Sequence, residues 1–101
     1  MKAIEAFTAV GHPYNCAQSV AVGAGREELV SELASCGGGR APEGRCGALH
    51  AALLLAPPEK RAAILEQFRA AAGAVTCREI KGGTGFPCAQ CVETAARLLE
   101  N

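Results

Sequence analysis

The stretch "EGRCGALHAALLLAPPEK", residues 43–60, decides the fold. From Ala48 to Ala56 its only polar side chain is His50, so this segment has no face to offer to water. Such a run predicts a central helix over about 46–56, apolar on nearly all sides. Pro57 and Pro58 end it and begin the next helix, because proline cannot continue a helix but suits the first turn of one. At the head of this buried segment stands a cysteine, Cys46, between Arg45 and Gly47.

The totals agree with close-packed helices. With 101 residues the chain is one domain, near the lower end of the size at which a single core holds itself together. Half of the residues are hydrophobic but only 4% are aromatic and Trp is missing, so the core must be Ala, Leu and Val packed at short range. Ten basic residues balance ten acidic ones and are scattered singly, which argues against the cationic face that nucleic acid requires. All the acidic residues are Glu; the absence of Asp speaks against EF-hand calcium loops and phosphoryl-transfer sites.

Working outward, "KAIEAFTAV" (2–10) places Ile4, Phe7 and Val10 at helical spacing before Gly11. Asn15 is a good N-cap for "CAQSVAVGAG", and "REELVSELAS" (26–35) gives a further helix with Leu29, Val30 and Leu33 inward. The stretch 36–45 is too rich in Gly and Pro for regular structure and is expected as an extended loop. "EKRAAILEQFRAAAG" is a helix closed by Gly73, "CREIKGGTGFP" a second Gly-rich loop with room for one turn, and "CAQCVETAARLLEN" an amphipathic last helix. The expectation is an all-α bundle of about five helices with two Gly-rich loops, since no segment alternates with the strand period.

The amino terminus carries Glu5 inside what would have to be the apolar part of a signal peptide, and no apolar run approaches the ~20 residues of a membrane span. A cytoplasmic location is therefore expected. There thiols stay reduced, and six cysteines suggest metal or redox chemistry more than a disulfide framework. A chain this short with so apolar a central helix also leads us to expect a homodimer.

In this layout Cys16, Cys46 and Cys88 each stand at a helix start, and Cys77 on the second Gly-rich loop. Unpaired N–H groups and the helix dipole favour thiolate at such positions, and Arg45 and Arg78 push Cys46 and Cys77 the same way. "CAQC" (88–91) puts Cys88 and Cys91 on one helix face, able to share a metal or to pair, yet it lacks both a thioredoxin-type βαβ setting and a following His for haem attachment. A zinc site would usually show two close pairs; single cysteines plus one pair suit an iron–sulfur cluster. Against all of these stands the packing role of free cysteine as a small hydrophobe. His50 shares a helix face with Cys46 and is read as a partly buried histidine rather than a ligand; His12 is expected at the surface. "GRAPEGRC" (39–46) has phosphate-loop spacing but no strand before it, and nucleotide binding is set aside.

The ordered set "YNCAQSV", "GGGR", "GRCGALHAALL", "CREI" and "FPCAQCVETAARLLE" resembles a family of redox-active proteins of prokaryotes named for its C, CGAxxG, C, C cysteine pattern. Cys16, Cys46, Cys77 and Cys88 fall on the four characteristic cysteines. The last Gly of CGAxxG is Ala51 here, and Cys36 and Cys91 are additional. The resemblance implies a cysteine-based, helical redox protein without specifying a reaction. Three readings follow. In the first, the four cysteines hold an iron–sulfur cluster and exchange electrons with a redox partner protein. In the second, Cys88 with Cys91 or with Cys46 forms a metal-free thiol–disulfide switch. In the third, the cysteines bind zinc or only pack, and the chain is a partner-binding module.

Overall fold

The computed structural model describes residues 2–8, 14–36 and 44–100, and their fold is all-α. Six helices are described: α1 (Ala3–Thr8), α2 (Cys16–Gly23), α3 (Gly47–Leu55), α4 (Pro58–Ala72), α5 (Cys77–Glu79) and α6 (Cys88–Glu100). Among the described residues there is no strand; the nearest approach is a single antiparallel bridge between Arg45 and Thr76. His12, the end of the first helix at Val10 and most of the first Gly-rich loop lie outside the described residues.

The central position expected of the "GALHAALLL" helix is found. Helix α3 packs on α2, α4 and α6, while α2 and α6 also touch each other and α1 lies across both. Gly47, Ala48, Leu49, Ala51 and Ala52 are all buried, and side chains this small let neighbouring helices come close. Ala51 is wholly buried, so the core accommodates its methyl group where the CGAxxG pattern has glycine. Phe68, Leu33, Leu49, Ile80, Val20 and Val92 supply the bulk between the alanines. The centre of α3 is buried as expected, but its last turn is not: Leu54 is 44% exposed.

Two expectations are corrected. Residues 26–35 do not make an α-helix but two short 3-10 turns, Glu27–Leu29 and Glu32–Ser35. The carbonyls of Val30, Leu33 and Ala34 are taken by side-chain amides of Gln18 and Asn15, at 2.9, 3.0 and 3.1 Å, which draws them away from an i→i−4 ladder. The "CREIKGGTGFP" segment holds more helical structure than the one turn expected within its loop. It begins as helix α5 and continues as a wide π turn, Ile80–Thr84, closed by Gly85 at φ 69°. Helix α4 ends, as expected, on Gly73 in the left-handed region at φ 84°.

Candidate functional site: a cavity walled by five cysteines

Every cysteine of the expected set stands at a helix start, and a local device fixes each. Asn15 caps α2 through a reciprocal box: its Oδ1 accepts the Gln18 N–H at 2.7 Å, and Gln18 Oε1 accepts the Asn15 N–H at 2.9 Å. Cys16 is therefore the first residue of a well-capped helix. Cys46 is the N-cap of α3, and its N–H donates to Val75 O at 2.8 Å beside the Arg45–Thr76 bridge. Thr76 caps α5 by accepting the Glu79 N–H at 3.2 Å and donating to Glu79 Oε1 at 2.8 Å, which makes Cys77 the first residue of that helix. Pro87 O accepts the N–H groups of Gln90 and Cys91, both at 3.0 Å, and Cys88 opens α6.

These four devices aim at one place. Cys16, Cys46, Cys77, Cys88 and Cys91, with Gly47 and Ile80, line a cavity of about 30 Å³. Cys91 belongs to it because it follows Cys88 by three residues, and an i, i+3 pair shares a helix face. None of the six cysteines is in a disulfide. Cys36, half-buried at the end of the second 3-10 turn, is not among the lining residues; its carbonyl packs on Gly47 instead. An alanine at position 47 would set its Cβ 2.5 Å from Cys36 O and 2.7 Å from Cys16 Sγ, so only glycine lets α2 and the head of α3 approach this closely.

The helix-start positions predicted thiols biased toward thiolate, and at Cys16 the structure corrects this. Burial, and after it the neighbouring Cys46, push the Cys16 thiol up; hydrogen bonds from the backbone at Ala48 and Ala17 offset this only in part. Cys91 is driven up further, first by its hydrogen bond with Cys46, then by burial and by the other sulfurs around it. A crowd of sulfurs with little water cannot hold several negative charges unless a cation joins them.

Among the described residues no group of three or more His, Cys, Asp or Glu side chains is placed to hold a single metal ion. His50 lies elsewhere, in a groove with Arg45 and Arg61, and does not line the cavity. Among the described residues no helix is long and apolar enough to cross a membrane. Comparisons of the chain with protein-family models, with curated proteins and with solved structures find no match.

Proposed function

We propose that this chain is a small cysteine-based redox protein in which Cys16, Cys46, Cys77 and Cys88 hold an iron–sulfur cluster for electron transfer. The observation that carries the reading is the convergence of five thiols from four helix starts on one cavity whose other lining residues are Gly47 and Ile80. Thiolates are the donors that iron–sulfur clusters take, and the group would supply one-electron storage. Single cysteines plus one close pair suit such a cluster, where a zinc site would usually show two close pairs.

In this reading the chain's own residues set the properties of the site. The backbone at Ala17 and Ala48 donates to Cys16 sulfur and favours its anionic form. Ile80, 2% exposed, keeps water from one wall. Cys91 is the fifth sulfur, hydrogen-bonded with Cys46. The reading implies a reducing compartment, the cytoplasm, and a redox partner protein.

The test is anaerobic purification and reconstitution with ferrous iron and sulfide, followed by the visible spectrum, iron and sulfide analysis and electron paramagnetic resonance. A brown protein with stoichiometric iron and sulfide is expected; a protein that stays colourless and retains no iron overturns the cluster.

The Cys46–Cys91 contact favours one alternative, a thiol–disulfide switch. There a partner disulfide would be reduced to two thiols while Cys46 and Cys91 lose two protons and two electrons and join through sulfur. Loss of two thiols on mild oxidation of metal-free protein, regained with dithiothreitol, would identify it.

A further inference from the structure

Three walls of the thiol cavity belong to α2, the head of α3 and α6, which pack on one another at the centre of the bundle. The fourth wall, Cys77 and Ile80, belongs to α5 and the π turn and is held differently. The hydrogen bonds of residues 77–85 stay within 76–86. The Ile80 N–H donates to Thr76 O at 3.0 Å, the Gly85 N–H to Ile80 O at 2.8 Å, and Thr84 Oγ1 to the same oxygen at 3.1 Å. Among the described residues none of these bonds reaches another helix. Arg78, Glu79 and the residues 82–85 are exposed, and Ile80 alone of the described side chains in this segment is buried in the core. On either side, Val75 and Phe86 are half-buried against that core. One further contact is the Thr84 methyl, which sits where a side chain at Gly73 would stand.

A cavity of about 30 Å³ holds a water molecule or two, and a centre of several iron and sulfide ions needs more room. Some wall must therefore move when the site is loaded, and the fourth has the least to break. We propose that residues 77–85 form a flap over the thiol cavity, which pivots at Val75 and Phe86, withdraws Ile80 from the core and opens the way to the buried Cys46 and Cys91. The proposal rests on the cluster reading above and adds the route by which the cluster enters. A segment with one apolar anchor opens locally at a much lower free energy than the whole bundle unfolds. Single turns do not persist once lifted from their support, so the bonds of the Ile80 and Gly85 N–H groups break in the open form. The Arg45–Thr76 bridge stands outside the flap and keeps the base of Cys77 in place while the π turn lifts. A π turn at the edge of a binding cavity fits this use, since such turns recur at functional sites.

The experiment uses the full-length, reduced, metal-free chain. Alkylation by N-ethylmaleimide, resolved by mass spectrometry, and amide hydrogen exchange are followed at rising urea below the unfolding transition. Cys91, 3% exposed, is expected to react through the opening of the flap, at a rate that barely depends on urea. The Ile80 and Gly85 amides should exchange about a hundredfold faster than those of Ala51 and Ala52 in α3. Ile80→Val should speed Cys91 alkylation about fourfold, the effect of one methylene fewer to draw from the core, and leave Cys36, outside the cavity, at the wild-type rate. If Cys91 labelling and flap exchange share the slowness and the steep urea dependence of α3, the cavity opens only on unfolding and the flap is overturned. Rapid Cys91 labelling beneath a protected flap overturns it too, by placing the entrance elsewhere, as does an Ile80→Val rate equal to wild type. Failure to load iron and sulfide removes the cluster reading separately, and the Cys91 and amide rates of the metal-free chain still decide the flap.

Discussion

Gly47 lies so close to Cys16 that a methyl group in place of its hydrogen would stand 2.7 Å from the Cys16 sulfur. The same methyl would stand 2.5 Å from the Cys36 carbonyl oxygen, which is backbone and cannot swing aside. Gly47→Ala should therefore move α2 away from α3 and displace Cys16 from the cavity. Overpacking of this kind costs about 1–3 kcal/mol. Urea denaturation should show that loss, and iron retained after reconstitution should fall with it; an unchanged midpoint together with full iron content would contradict the packing argument.

The lining of the cavity divides the cysteines sharply. Cys46→Ser is expected to abolish cluster assembly, whereas Cys36→Ser, outside the lining set, should leave the spectrum and iron content as in wild type. Iron analysis of the two variants side by side checks this. Equal losses would mean that Cys36 shares in the site.

Gly82 and Gly83 are exposed, have nothing within 4 Å of where a Cβ would stand, and do not adopt positive φ. Neither packing nor backbone conformation calls for glycine there. Replacing each by alanine should raise stability by about 0.4–1 kcal/mol, chiefly by narrowing the unfolded ensemble. Thermal denaturation monitored by circular dichroism would read the gain.

Burial, and behind it the Arg45 guanidinium, hold His50 below the ordinary imidazole pKa. As pH falls, the unfolded chain therefore takes up this proton before the folded one does. The contribution to stability is full above the unfolded value of ~6.5 and is lost as pH drops through it toward the lower folded value. His50→Gln should flatten the pH dependence of the unfolding midpoint on the acid side of neutrality. A slope identical to wild type would show that the imidazole is fully solvated.

Asn15 ties two segments together, since its side chain caps α2 and also donates to Leu33 O and Ala34 O. Asn15→Ala should cost about 0.5–2 kcal/mol for the cap alone. Hydrogen exchange should rise in residues 27–36 as well as at the start of α2, because the 3-10 turns lose the same partner.

Much of this architecture was legible because punctuation in the chain coincides with the site. Asn15, the Pro57–Pro58 pair and Pro87 mark helix starts directly, and the apolar run after Cys46 marks the centre. The glycines at 82, 83 and 85 dominate the local pattern around Cys77 and point to a loop, where the structure has a helix start. Its signal was nonetheless present: "TCRE", residues 76–79, has the spacing of a capping box, with Thr76 and Glu79 as its two ends. The 3-10 turns at 27–35 were beyond local reading, because partners twelve or more residues away take up their carbonyls. The helix start at Cys16 favours thiolate, but burial, invisible in local pattern, outweighs that preference.

The Arg45–Thr76 bridge sits one residue ahead of both Cys46 and Cys77, and the Cys46 N–H reaches Val75 O across it. Main-chain bonds thus bring two sulfur-bearing segments, thirty-one positions apart in the chain, into fixed register before any ion or oxidant arrives. Chain connectivity here sets the alignment of the pair: a residue inserted or deleted between Ala74 and Thr76 would shift one sulfur along the other segment, however intact the rest of the bundle.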